Sequence, residues 1–472
     1  MHAQSPLTSM ILTRMIVIFS MLLAAPQAAQ AAPPSEAELE SKVDAIAAEY
    51  LAKPGAAGLS IGVARQGKVV LAKGYGLADV EFDAPANKDT MFRIASVTKQ
   101  FTAAAIMRLV EQGKLSLDDN LNKFLPDYPT QGNTVTIRHL LNHTSGINTS
   151  VGEERGKVAP LELTHEELLA LVKDKPFEFK PGEKRAYNNT AYYMLGMIIE
   201  KISGKSYARH MQDELFTPLK LERTRYDISS DVIKNRAQGY TIRDGVLVND
   251  DPMGMSRPGA AGGLLSTGEE LVEWSMALTS GKVVKPESFA MMTTPTTLAD
   301  GSSKDYGFGL GIDTFEDFKR IQHGGDINGF NSVLFWLPEH DLHVAVISNG
   351  EPIRSGKIAD VIAYAALGIE RAAVKDEAIS ADLLKSIVGM YTMMEGPLWD
   401  VKVWEDGGKV KMKAQTEEQV EFRIMYQGAG ASPDGEEFRA EFDRDVTFTF
   451  ARDGQSFKVL QGGKRMTAKR KP

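Results

Sequence analysis

The sequence predicts an α/β (α+β) chain. It has an antiparallel β-sheet flanked by helices, an all-helical subdomain beside the sheet, and a small C-terminal antiparallel domain of β-barrel type. Three observations carry this. Short apolar strands stand near both ends of the first 370 residues, with helices and loops between them. Past residue 380, apolar and polar residues alternate around glycine turns. The length of 472 residues exceeds one average domain.

Taken in chain order, Arg14 precedes the apolar run Met15–Ala25, and small residues follow to Ala29-Gln30-Ala31. This is the pattern of a signal peptide over residues 1–31. The run is too short for a bilayer span, which needs about 20 residues. The expectation is export, to the periplasm or outside the cell, with no integral membrane segment after cleavage. Residues 32–370 form the main domain, 371–380 a polar linker, and 381–472 the C-terminal β-domain.

Glu36–Leu51 has the pattern of an amphipathic helix. GLSIGVARQGKVVLAKGYG (58–76) reads as two strands turning at Gln66-Gly67. Ser96–Gln112 reads as a helix that is apolar all round, hence buried, and Gly113 closes it. Helical segments Thr136–Leu141, Thr164–Lys173 and Asn189–Ser203 follow. Strands Phe330–Leu337 and His343–Asn349 then turn at Pro338–Asp341. In the last domain, turns fall at Asp406-Gly407-Gly408 and Asp453-Gly454. The basic stretch Lys464–Pro472 reads as a solvated terminus.

Composition excludes several classes. There is no cysteine, so thiol nucleophiles, thiolate metal sites, disulfides and a lipidated N-terminal cysteine are absent. A net charge of −8 without a basic face argues against a nucleic-acid partner. Neither G-x-G-x-x-G nor a P-loop occurs, and no cofactor is expected. His139 and His143 have helical spacing, but HLLNH lacks the glutamate of a zinc peptidase, so a structural role is preferred. Trp399 and Trp404 are read as core or cross-strand packing rather than a sugar platform.

Two serines compete as nucleophile. Ser60 in GLSIG satisfies G-x-S-x-G, but that motif needs a strand followed by a helix, and here a hairpin partner follows. Ser60 is therefore read as part of an outer strand. Ser96 has Lys99 three places on, which puts both on one helix face. A serine hydroxyl needs a base, and a buried lysine can be held neutral. Phe92, Ile94 and Phe101 supply apolar surroundings. S-x-x-K occurs once, as do Y-x-N (Tyr187-Asn188-Asn189) and H-x-G (His323-Gly324-Gly325).

These motifs resemble those of the serine β-lactamase and penicillin-binding-protein superfamily, in its class C β-lactamase, D-aminopeptidase and esterase branch. The resemblance covers about Glu36 to Leu367. It extends to FRIASVTKQFTAAAIMRLVEQGKLSLDD (92–119), TIRHLLNHTSGI (136–147), GGLLSTGEEL (262–271), YGFGLGI (306–312) and HGGDINGFNSVLFWLPEHDLHVAVISN (323–349). It implies the β-lactamase/transpeptidase-like fold and an acyl-enzyme on Ser96. Lys99 would be the proton acceptor and Tyr187 a base shared with it. Asn189 would orient the substrate amide. The strand of His323 and Gly325 would line the site, and the Asp326 N–H would join that of Ser96 in an oxyanion hole.

His323 stands where the β-lactamases usually carry a lysine that binds the substrate carboxylate, and Gly324 offers no hydroxyl. That favours a peptidase or esterase. The implied function is an exported serine hydrolase of small amides or esters, such as a D-amino-acid or peptidoglycan-type peptide. The partners implied are a small-molecule or peptide substrate, with peptidoglycan a further candidate. The alternatives are a β-lactamase proper, a penicillin-binding sensor without turnover, or a cell-wall interaction module.

Overall fold

The structure is a computed structural model that describes residues 33–149, 161–350, 354–370, 374–395, 399–415, 421–441, 446–461 and 464–471. The expected signal segment 1–31 lies outside them. The chain divides into two compact units, Met1–Ile369 and Glu370–Pro472.

The first unit opens with helix α1 (Glu36–Leu51), where Ser35 and Glu38 form a capping box. The hairpin follows as β1 (Gly58–Arg65) and β2 (Lys68–Asp79). Its turn uses Gln66 and Gly67, both at positive φ. A short β3 (Ala84–Pro85) comes next, then α2 (Thr98–Glu111) and α3 (Asn189–Ser203). The one-turn α4 (Gly259–Gly262) precedes α5 (Gly268–Thr279). Strands β4 (Gly311–Phe315), β5 (Phe318–Ile327), β6 (Phe330–Leu337) and β7 (Leu342–Ser348) and helix α6 (Ser355–Leu367) complete the unit.

The seven strands form one antiparallel sheet in the order β4-β5-β6-β7-β1-β2-β3. Strand β1 pairs with β7 on one side and β2 on the other, in the register Leu59↔Ser348 and Leu59↔Tyr75. It is therefore interior, not the outer strand expected around Ser60. The reason is non-local: its second neighbour comes from the far end of the unit.

One face of the sheet carries Leu59, Ile61, Val344 and Val346 against Val43 of α1 and Ile358 and Ile362 of α6. The other face meets a larger core that includes Phe101, Leu195 and Trp274. Each such buried side chain contributes about 1.5–3 kcal/mol. Phe101 stacks on Trp274 with ring centroids 3.9 Å apart. Every side chain from Val97 to Met107 is buried, as the apolar pattern of α2 requires. The expected helix over 96–112 begins as a 3₁₀ turn, Ala95–Val97, and becomes α-helical at Thr98.

The glycines of GLSIG have a packing role. A Cβ on Gly62 would lie 1.9 Å from the Gly268 carbonyl oxygen, and one on Gly268 2.5 Å from the Ile61 backbone. The N-terminus of α5 thus sits directly on β1. Ser60 Oγ accepts the Gly268 N–H at 2.9 Å and is 1 % exposed.

The second unit is a closed barrel of eight strands. These are β8 (Gly389–Met393), β9 (Asp400–Asp406), β10 (Lys409–Ala414), β11 (Phe422–Tyr426), β12 (Glu436–Ala440), β13 (Thr447–Phe450), β14 (Ser456–Gln461) and β15 (Lys464–Arg470). Its interior holds Tyr391, Val403, Phe438, Phe450 and Phe457. Residues 374–380, expected as a linker, include Lys375 and Glu377, whose N–H groups bond to Gln427 and Tyr426.

The basic terminus is corrected. Lys464–Arg470 is the strand that closes the barrel, paired with β14 and β8. Met466 and Ala468 point inward at alternate positions, a period that the surrounding charges mask. Neither tryptophan is core. Trp399 is 41 % exposed, and Trp404 faces outward with the Lys402 ammonium 5.4 Å from its ring centre. Among the described residues no helix is long and apolar enough to cross a membrane.

Candidate active site

The site forms where the 3₁₀ turn of Ser96 meets β5, α3 and α4. Ala95 holds a positive φ of 46°, unusual for a residue with a Cβ, and this turns Ser96 out of the core. Ser96 stays partly exposed while Ala95, Val97 and Lys99 are buried. Ser332 Oγ on β6 donates to the Ile94 carbonyl at 2.7 Å and pins the turn to the sheet. Asp227, fully buried, binds Arg93 at 2.8 Å and Arg236 at 3.0 Å, which fixes the strand just before the turn.

Lys99 Nζ meets three oxygens: Ser96 Oγ at 3.0 Å, Asn189 Oδ1 at 2.9 Å and the Ala261 carbonyl at 2.8 Å. Burial without a carboxylate partner lowers its pKa well below the ordinary lysine value. A neutral amine has two N–H donors and one lone pair. Asn189 Oδ1 and the Ala261 carbonyl can only accept, so they take the donors. The lone pair is then left for the Ser96 hydroxyl proton. Sequence spacing brings Ser96 and Lys99 together as expected, and α3 adds Asn189 from its first turn.

Tyr187 differs from expectation. Its ring lies over the lysine, with Nζ 4.7 Å from the ring centre. To act as a base shared with Lys99 near neutral pH, its phenol would need a pKa below the ordinary value of about 10. Instead, desolvation raises it above 10, against opposing effects of the Ser96 hydroxyl and the Arg185 charge. The residue as a whole is nonetheless 38 % exposed. Tyr187 is a neutral phenol here.

His323 and Gly325 face the turn from β5. A Cβ on Gly325 would stand 2.4 Å from the Ile94 carbonyl oxygen, so only glycine lets the strand approach this closely. Strand β4 pairs only with residues 318–322 of β5, so it does not cover that edge of His323–Ile327. The Asp326 side chain points to the opposite face and pairs with Arg354 at 2.9 Å.

The histidines form a directional chain with Tyr306. The Asn188 N–H reaches His143 Nδ1 at 3.1 Å, so Nδ1 accepts and the proton sits on Nε2. His143 Nε2 contacts Tyr306 Oη at 3.1 Å, and Tyr306 Oη contacts His323 Nε2 at 3.0 Å. His143 therefore donates to Tyr306, Tyr306 to His323, and His323 Nδ1 to the Gly324 carbonyl at 2.6 Å. Both imidazoles are neutral. Burial pushes His143 well below its ordinary pKa and His323 down to about 3. His139 has a separate structural place: its Nδ1 accepts the Thr136 N–H at 3.2 Å in a helix cap.

A family model described as Beta-lactamase matches residues 43–367. The chain belongs to this family. Among curated relatives, protein flp of Staphylococcus aureus (strain MW2) is 28 % identical over 320 residues, 66 % of this chain and 63 % of flp. The chain thus spans somewhat under two thirds of that relative. Penicillin-binding protein 4* of Bacillus subtilis (strain 168) is 29 % identical over 366 residues, 71 % of this chain and 79 % of the relative. Among solved structures, the octameric penicillin-binding protein homologue from Pyrococcus abyssi has a TM-score of 0.63 at 28 % identity. The match covers 91 % of this chain and 99 % of that one. A D-stereospecific amidohydrolase from Streptomyces sp. has a TM-score of 0.59 at 25 % identity, over 71 % and 98 %. Membership of the β-lactamase family and these neighbours support a serine hydrolase in general.

Sequence reasoning missed part of the β-lactamase-family site. The Ala261 carbonyl and Arg185 carry no motif of their own, and His143, inside HLLNH, was read as structural only. Tyr306 opens the quoted YGFGLGI, and Arg185 stands two residues before Tyr187. Nothing local shows that they converge on His323.

Proposed function

We propose that the chain is an exported serine hydrolase that cleaves small amide or ester bonds through an acyl-enzyme on Ser96, with D-amino-acid or peptidoglycan-type peptides as its substrate class. The observation that carries this is the buried Lys99 amine, 3.0 Å from Ser96 Oγ, with its two donors already committed. Lys99 takes the Ser96 proton as Oγ attacks the carbonyl. Tyr187, a neutral phenol above the amine, hands a proton to the departing nitrogen or oxygen. The N–H groups of Ser96 and Asp326 receive the oxyanion at the open edge of β5. Asn189 Nδ2 has no protein partner among the described residues and is left to bind the substrate amide. Export rests on the signal-like residues 1–31.

The test is intact-mass analysis after reaction with p-nitrophenyl acetate. One acetyl group on Ser96, absent in Ser96→Ala, is expected. A label on Ser60, or unchanged turnover in Ser96→Ala, overturns the reading.

A further inference from the structure

Arg185 is a cation in the site wall with no anion beside it among the described residues. Its guanidinium carbon lies 4.5 Å over the Tyr306 ring, and Tyr306 bonds to His323. Its Nε is buried and has no hydrogen-bond partner. Among the described residues it has no carboxylate partner. Its charge is felt by Tyr187, Tyr192, Tyr306, His143 and His323.

A guanidinium with a desolvated, unpaired N–H is costly unless an acceptor arrives. Its planar fork suits a carboxylate, which can take two parallel bonds. His323 cannot serve instead, because both its ring nitrogens are engaged by Tyr306 and Gly324.

We propose that Arg185 is the specificity-determining anchor for a substrate carboxylate, so that the site selects free-acid peptides over their amides. This deepens the hydrolase reading and rests on it for the site's location. It also predicts poor binding of substrates whose free ammonium would face Arg185.

The test uses the full chain carrying Ser96→Ala, so that binding is read without turnover. Titration calorimetry compares N-acetyl-D-alanyl-D-alanine with its C-terminal carboxamide. The acid is expected to bind about tenfold or more tightly, as a charge-assisted pair gives. Adding Arg185→Gln is expected to erase that ratio, and Arg185→Lys to keep part of it. Equal binding of acid and amide, a ratio that survives Arg185→Gln, or binding of neither ligand overturns the proposal. Failure of the acyl-enzyme reading shows separately, as absence of the Ser96 label in the unsubstituted chain.

Discussion

Lys99 Nζ lies 3.0 Å from Ser96 Oγ and is wholly buried, while Ser96 itself remains open to solvent. The base is sealed behind its nucleophile. Lys99→Met removes the base and is expected to lower the acylation rate about a thousandfold. It also removes a buried amine, so the variant should melt higher than the parent. The gain depends on pH. The unfolded lysine holds its proton up to about pH 10.4, whereas the folded one releases it much earlier. Parent stability therefore rises with pH through that window. The melting difference between Lys99→Met and parent should be largest at low pH and shrink toward about pH 10.4. A constant difference across pH would refute a neutral Lys99.

Ser60 lies at the joint between β1 and α5, and its hydroxyl accepts the Gly268 N–H. Ser60→Ala leaves that N–H unpaired and should cost about 1–2 kcal/mol in urea unfolding. Acylation by p-nitrophenyl acetate should be unchanged. Gly62→Ala is a harsher probe, since its Cβ would meet the Gly268 carbonyl at 1.9 Å. Backbone must move, and a loss of about 3 kcal/mol is expected. A silent Gly62→Ala would contradict this packing.

His323 makes acid the weak side of the first unit. An unfolded histidine takes a proton below about pH 6.5, while the folded His323 refuses it until about pH 3. The unfolded state binds more protons in that window, so stability falls as pH drops through it. His143 adds in the same direction. His323→Gln should flatten the decline of urea-unfolding free energy between pH 6.5 and pH 4. An equally steep decline in the variant would place the acid sensitivity elsewhere.

Much of this fold was legible because its signals are local. Glu36–Leu51 and Asn189–Ser203 have the bounds their periodicity predicts, and the turn at Gln66-Gly67 falls where the glycine marks it. Ser96 and Lys99 were legible for the same reason, since three residues on one helical turn must meet. What failed to show was non-local. The interior position of β1 depends on pairing with Leu342–Ser348. The chain from His143 through Tyr306 to His323 joins three distant segments, and Arg185 gains meaning only from the ring beneath it. The closing strand Lys464–Arg470 was hidden because its charged residues outnumber the two that point inward.

Asp227 gives a final test of how the turn is held. Its carboxylate is fully buried between Arg93 and Arg236, whose side chains are 20 % and 33 % exposed. Removing one member of a buried ion cluster leaves the others uncompensated. Asp227→Ala should therefore cost about 3 kcal/mol, toward the low end for such clusters because both arginines still reach water. Arg93 lies three residues before Ser96, so the acylation rate should fall as well. Replacing all three residues together, as Arg93→Met, Asp227→Leu and Arg236→Met, removes the charges along with the gap. Desolvation no longer opposes folding, and stability should return to near the parent value. Urea unfolding and p-nitrophenyl acetate turnover on both variants separate the two roles. Recovered stability with slow acylation would mean that the cluster positions the turn through its hydrogen bonds. Recovery of both would mean that it serves only to fill the space.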